Sequence, residues 1–210
     1  MKPKSTDIID GTRYEFDSPE EMWFAWWLEE LRQYEEIGEW RYQAKTWQLS
    51  RSCDLLWSVQ GARKVLERSK CLLRAHSYTA DFSVRWRNKD WINVETAEWR
   101  ESDGNDLRIV PPYKPDAVML ATGSDLTAYV DIKGGFVRGH SKAEAFEVKR
   151  GIVWEQHGDY INRIVPYTAK GPCLFKATFV PQRFFFTDKG HQARKIHFPV
   201  RRIEEWLSPF

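Results

Sequence analysis

The 210-residue chain has little of what several function classes require. Its three cysteines, Cys53, Cys71 and Cys173, are odd in number, widely spaced and free of any Cys-x-x-Cys pair. That speaks against a zinc site or a disulfide framework and for a reducing compartment. The five histidines, His76, His140, His157, His191 and His197, show no His-x-x-x-His pairing, and no Ser/His/Asp or Cys/His triad can be built around them. No glycine-rich phosphate loop is present, since Lys133-Gly134-Gly135 lacks the P-loop frame. No apolar run approaches a membrane span, and the polar start Met1-Lys2-Pro3-Lys4-Ser5 lacks the apolar segment of a signal peptide. The expectation is therefore a soluble, cytoplasmic protein with no membrane partner. Internal repeats and low-complexity segments are absent. The formal charge of +2 gives no global electrostatic pull toward nucleic acid.

Aromatic and locally charged residues are plentiful. Eleven tryptophans supply large apolar area, and some could stack on bases. Acids outnumber bases over residues 1–50, whereas from Arg163 onward bases, among them Arg163, Arg194, Lys195 and Arg202, outnumber acids. A basic tail of this kind suits phosphate contact and equally suits a solvated face. The length fits one domain over 1–210.

Element signals give an α/β order. Ser18-Pro19-Glu20-Glu21 reads as a capped helix start, with Ser18 as N-cap, Pro19 at the first position and Glu21 completing a capping box. Trp23, Phe24, Trp27, Leu28 and Leu31 follow at helical spacing, and Gly38 is the expected C-terminal cap. Before this helix only Thr12–Phe16 reads as a strand, in an otherwise loose entry. Trp40–Leu49 reads as a strand and Val59–Leu73 as a basic amphipathic helix. Ser77–Trp86 and Trp91–Ala97 read as a hairpin, and Glu101–Pro115 as an exposed excursion. Ala117–Leu120 and Leu126–Lys133 read as strands, Lys142–Gln156 as a helix and Tyr160–Val165 as a strand. Ala177–Val180 and Arg183–Thr187 read as short strands and Ile203–Leu207 as a helical turn.

The chemistry-bearing stretch is Ala128-Tyr129-Val130-Asp131-Ile132-Lys133-Gly134-Gly135. On a strand Asp131 and Lys133 share a face, because side chains alternate. A carboxylate beside a lysine at a strand end suits metal-assisted phosphodiester hydrolysis, although a surface ion pair gives the same triplet. Asp81, inside an aromatic-rich strand, can bring a second carboxylate if the two strands pair.

Taken together, Ser18-Pro19-Glu20-Glu21, the segment Gly38–Gln43, Tyr78-Thr79-Ala80-Asp81-Phe82 and Val130-Asp131-Ile132-Lys133-Gly134 resemble the PD-(D/E)xK nuclease superfamily. The likeness is to its phage-type endonucleases and Holliday junction resolvases, and covers roughly residues 14–165. It implies a restriction-endonuclease-like α/β core, a central mixed β-sheet flanked by helices, with a β-rich insertion over 87–125 and a basic C-terminal extension over 166–210. It implies a Mg²⁺-dependent DNA endonuclease, with Mn²⁺ as a substitute ion, acting on double-stranded or branched DNA in a bacterial or phage-infected cell, with room for a homodimer. Carried over by position, Asp81, Asp131, Glu21 and the Ile132 carbonyl hold metal, and Lys133 is the catalytic lysine. Lys149, Arg163, Arg194 and Lys195 are candidates for phosphate contact. Other readings compatible with the same residues are a sequence-specific or nicking nuclease and a non-catalytic DNA-binding protein on a degenerate nuclease fold.

The sequence departs from the family pattern in three ways. Ala80 stands in place of the usual proline, Asp131 in place of the more frequent glutamate, and the interval from Asp81 to Asp131 is longer than the pattern. That interval leaves a rival first acid, Asp116 in Tyr113-Lys114-Pro115-Asp116. Asp81 is preferred because its flanks read as a strand and the prolines near Asp116 read as a loop. Glu95 is a third candidate. Glu21 is also explained by capping alone, and Lys149 by a solvated helix face. Gln156-x-x-x-Tyr160 matches a spacing in one branch of these nucleases, but Gly158 interrupts it.

Overall fold

The computed structural model describes residues 4–95, 118–122, 125–134, 141–186 and 193–208. The chain opens with a hairpin, β1 (Ser5–Ile9) and β2 (Thr12–Phe16), where only the second strand is expected from the sequence. Asp10 and Gly11 both take positive φ, the pairing that a two-residue hairpin turn requires.

Helix α1 (Pro19–Gln33) begins as its sequence dictates, with the Ser18 Oγ accepting the Glu21 N–H. It buries Met22, Phe24, Ala25, Trp27, Leu28 and Leu31 on one face. Its end differs from expectation. Glu35 adopts φ 60°, its N–H reaches the Arg32 carbonyl and the Glu36 N–H reaches Leu31, which is a Schellman closure without glycine. Gly38 instead lies in β3 (Ile37–Tyr42), where the register shifts between Ile37 and Glu39 and makes a bulge opposite Arg85.

The expected single strand Trp40–Leu49 divides into β3 and β4 (Thr46–Ser50). The expected helix Val59–Leu73 is a hairpin of β5 (Cys53–Gln60) and β6 (Val65–Leu73). Its turn is closed by the Gly61 N–H on the Lys64 carbonyl, and an added Cβ on Gly61 would lie 2.8 Å from that same oxygen. The chain returns through β7 (His76–Thr79), which pairs with β4, into β8 (Phe82–Trp86).

The expected hairpin between Ser77–Trp86 and Trp91–Ala97 is also replaced. Both edges of β8 are taken, by β3 and by β11 (Thr127–Ile132), each antiparallel. A 3₁₀ turn at Lys89–Trp91 therefore carries the chain away to β9 (Ile92–Glu95), which pairs in parallel with β10 (Met119–Thr122) at the sheet margin. Helix α2 (Ser141–His157) then crosses over to β12 (Ile161–Ile164), parallel to β11. Asn162 knits the junction: its amide donates to the Leu120 and Tyr129 carbonyls and its Oδ1 accepts the Leu120 N–H.

The result is a mixed α/β fold around a six-stranded sheet. On one side α1 packs Phe24, Trp27 and Leu28 over Phe82, Val84, Trp86, Ala128 and Val130. Trp27 stacks on Phe179 and meets Trp86 and Trp91 edge-on, so these tryptophans fill the core. On the other side Phe146 and Val153 of α2 pack with Trp47, Leu49, Ala80 and Ile161.

Among the described residues the expected strands Ala177–Val180 and Arg183–Thr187 are not formed, Thr187 itself lying outside them. Ala177 ends a short helix, α3 (Leu174–Ala177), and Gln182–Phe185 is a 3₁₀ turn. The Thr178 N–H and hydroxyl both return to the Leu174 carbonyl, which spends the groups a strand would need. Phe175, Phe179 and Phe184 are part of the main core, and α4 (Ile203–Leu207) follows as expected. Among the described residues no helix is long and apolar enough to cross a membrane.

Candidate functional site

The most heavily constrained polar groups gather where β8 begins and β11 ends. Asp81 occupies the bend between β7 and β8, held there by the Gln43 N–H on its carbonyl and by Ala80 N–H on Lys45. Its Oδ2 accepts the Ile132 N–H at 2.6 Å. Within a strand a residue's N–H and carbonyl leave the same edge, so the Ile132 carbonyl lies on the edge that faces Asp81.

Asp131, on the α2 side of β11, is only 2% exposed. Its Oδ2 lies 2.5 Å from the Lys133 Nζ without the alignment of a hydrogen bond, so that buried oxygen is electrostatically matched but not saturated. The Lys133 N–H donates to the Ile164 carbonyl, and its ammonium lies 5.3 Å from the centroid of Phe146. Pairing with β12 fixes the backbone, and alternation puts the Lys133 side chain on the face of Asp131.

Two carboxyl groups thus meet, Asp131 buried and Asp81 half-buried. Burial, then a shared hydrogen bond with Asp131 and the charge of Asp131, hold the Asp81 carboxyl well above its ordinary range. The Ile132 N–H opposes this, and Glu21 adds to it from farther off. Tyr78 on β7 sits beside Asp131, and burial together with that carboxylate pushes its phenol far up, so it keeps its proton. Trp47 stacks on the Tyr78 ring and fixes it.

Glu21 is placed differently from Asp81 and Asp131. Its carboxylate accepts the Ser18 hydroxyl at 2.7 Å, the Tyr42 hydroxyl at 2.7 Å and the Asp17 N–H at 3.0 Å. Three donors occupy it, so it serves the helix start and orients Tyr42. Among the described residues no three His, Cys, Asp or Glu side chains form a metal-holding group. Glu20, which sequence reasoning passed over in favour of its capping neighbour, lies nearer the motif loop. A Cβ built on Gly134 would stand 3.6 Å from the Glu20 Oε1. No pattern in the sequence marks it, because its proximity arises only when α1 docks against the end of β11.

The donor set nevertheless suits a hard divalent cation. Two carboxylates and a backbone carbonyl are the oxygen ligands Mg²⁺ takes, leaving the rest to water and substrate. An unsaturated buried carboxylate oxygen, and a neighbouring carboxyl that burial and Asp131 hold above its ordinary range, are what such a cation relieves.

The remaining candidates are dispersed. Lys149 is exposed on α2, and Lys195 is exposed in the C-terminal region. Arg163, exposed on β12, is in register with Asp131 and so shares its face of the sheet. Arg194 is engaged in packing, its guanidinium 4.8 Å from the Phe184 ring and its Nε donating to the Phe186 carbonyl. Gln156 is exposed at the end of α2. Glu95 is on β9, separated from β11 by β10. Asp116 lies outside the described residues, as does most of the 87–125 interval beyond β9 and before β10. Compared with family models, curated proteins and solved structures, the chain matches none.

Proposed function

We propose that the chain is a Mg²⁺-dependent DNA endonuclease on a restriction-endonuclease-like core. The observation that carries this reading is the meeting of half-buried Asp81 and buried Asp131, distant in sequence, with Lys133 2.5 Å from Asp131 and the Ile132 N–H bound by Asp81. The element order supports it as well: the Glu21 helix, the Asp81 strand, the Asp131 strand, then a helix and a parallel strand.

Asp81, Asp131 and the Ile132 carbonyl would hold the ion. When bound, Mg²⁺ supplies Lewis-acid polarisation of a phosphate oxygen and a more acidic water. Lys133, pinned between Asp131 and Phe146 yet partly open, can hydrogen-bond that water or a phosphate oxygen and offset its negative charge. Tyr78 stays protonated beside Asp131, within the same polar cluster, and its hydroxyl has no hydrogen-bond partner among the described residues. Glu21 acts at one remove, through Tyr42 and the helix start.

The competing reading is a non-catalytic DNA-binding protein, favoured by the saturation of Glu21. Linear, nicked and four-way-junction DNA incubated in Mg²⁺ with wild type and Asp131→Ala separates the two. Cleavage by wild type alone supports the endonuclease. Binding without cleavage by either form supports the competitor.

A further inference from the structure

The β5–β6 hairpin stands apart from the rest of the described chain. Its strands pair only with each other, and every residue of Cys53–Gln60 and Val65–Leu73 is exposed. Leu55, Leu56, Trp57, Val59, Val65, Leu66, Leu72 and Leu73 are all open to solvent. A lone two-stranded ribbon is marginal in water, and apolar surface displayed on this scale marks a contact surface.

The register sorts its side chains into two unlike faces. Cross-strand partners share a face, so Leu55 with Lys70, Trp57 with Arg68, and Val59 with Leu66 form one of them. That face holds apolar residues, one aromatic and two cations, with no acid. Leu56 with Ser69, Ser58 with Glu67, and Gln60 with Val65 form the other, which also receives Asp54 by alternation. Both acids of the hairpin therefore lie on the second face.

Charge follows the same division. Over residues 51–74, Arg51, Arg63, Lys64, Arg68, Lys70 and Arg74 face only Asp54 and Glu67, a net of +4. The whole chain is +2, so everything outside this segment is net −2. The ribbon is thus one of two basic stretches of the chain, the other running from Arg163 onward, and it carries Arg63 and Lys64 at its tip. Trp57 is also the one tryptophan among the described residues with an exposed environment.

We infer that the β5–β6 hairpin is a duplex-DNA-binding arm that lays its Trp57–Arg68–Lys70 face against the groove and flanking phosphates. The choice of DNA rests on the endonuclease reading above; the assignment of this element to it is new. A two-stranded ribbon fits the B-DNA major groove, whereas the major groove of an RNA duplex is too narrow. Eight residues span about 27 Å, most of one B-DNA turn. Pairing of two such arms face to face would set Arg68 and Lys70 against their own copies, which disfavours self-association through that face. The arm also has a direct route to the site, because β6 leads into β7, which ends at Thr79 just before Ala80 and Asp81.

The test measures binding of the full chain to a labelled duplex of about two turns, in EDTA so that nothing is hydrolysed, across a salt series. Trp57→Ala and the double variant Arg68→Gln/Lys70→Gln are each compared with wild type. Each is expected to bind about tenfold more weakly or worse, and the double variant to flatten the log–log salt slope by about 2, with sedimentation mass and thermal unfolding unchanged. Wild-type affinity in both variants overturns the arm, and if wild type still cleaves DNA the endonuclease stands without it. Equal affinity for an RNA duplex, lost in the same variants, overturns the DNA assignment. A fall in mass from dimer to monomer in the variants makes the hairpin a self-association surface and overturns the inference. Arm-dependent binding by a wild type that never cleaves supports the inference and removes the endonuclease reading.

Discussion

Two antiparallel ribbons leave the sheet in the same excursion between β3 and β8, and they are built in opposite ways. The inner ribbon, β4 with β7, is tied down: Trp47 is 3% exposed, and its indole N–H donates to Asp159 at 2.7 Å. Lys45 reaches the same carboxylate at 2.7 Å and the Tyr129 hydroxyl at 3.0 Å. The outer ribbon continues the same two strands outward, but Trp57 is 40% exposed and the strands touch nothing else as a sheet. The inner ribbon delivers Tyr78 and Asp81 to Asp131, and such positions must be fixed to within a fraction of an ångström. The outer ribbon has no such duty, and its freedom suits a surface that meets a partner.

The largest expected effect separates chemistry from grip. Asp131→Ala should lower DNA cleavage by about a thousandfold or more while leaving duplex affinity in EDTA within about twofold. Arm variants should do the reverse, lowering affinity and sparing the single-turnover rate at saturating protein. Single-turnover kinetics beside anisotropy binding checks both, and a parallel loss of both quantities in either variant would erase the division.

The same residue type gives the next contrast. Trp47→Ala should cost about 3–5 kcal/mol of stability, since it empties a packed site and strips Asp159 of a donor. Trp57→Ala should stay within about 0.5 kcal/mol, as an exposed substitution does. Urea unfolding of the two variants measures the difference directly. A cost of 2 kcal/mol or more at Trp57 would show the arm packed in solution.

This contrast is also where the sequence stops being informative. The capped helix, the Asp131–Lys133 strand, the crossover helix and β12 were legible because their signals are local: a cap, an alternation, a helical period. The meeting of Asp81 with Asp131 was legible only through the resemblance, since strand partners are not written in either strand. Residues 59–73 were misread because their apolar positions suit a helix face as well as strands, and only pairing with β5 decides. Gly38 resembled a helix cap, but a cap is defined by φ, which Glu35 supplies. Glu20 carried no signal, its role being set by how α1 docks.

A smaller effect concerns protons at the inner ribbon's end. The ordinary carboxyl value for Asp81 is 3.8, and burial with Asp131 raises it in the fold. The native state then keeps a proton that the unfolded chain releases, so stability falls as pH rises from about 4 through neutrality. Glu30, pushed up to about 7 by burial and by Glu204, acts in the same direction, so the difference between wild type and Asp81→Asn isolates Asp81. In EDTA, wild type should melt lower at about pH 8 than at about pH 5, and Asp81→Asn should flatten part of that slope. A divalent ion replaces the proton, so Mg²⁺ should protect more at the higher pH, by about 2.7 kcal/mol at a hundredfold excess over its Kd. Equal melting with and without Mg²⁺ at both pH values would show that the pair holds no ion.

The smallest expected effect tests whether the two ribbons unfold together. In Gly61→Ala the new Cβ would stand 2.8 Å from the Lys64 carbonyl, a contact backbone must yield to relieve. The turn closed by the Gly61 N–H should open, and amide exchange through β5 and β6 should accelerate. Exchange in β4 and β7 should not change, because Trp47, Lys45 and Asp159 hold that ribbon to the core independently. Global stability should move by less than about 0.5 kcal/mol, since a region that opens locally adds little to the cooperative unit. Hydrogen exchange resolved by residue, beside a denaturant titration, distinguishes the outcomes. If the substitution also loosened β7, the arm would be mechanically joined to the strand that leads into Asp81. Duplex captured outside could then shift the carboxylate pair within, and the two ribbons would be one lever rather than an anchor and a free arm.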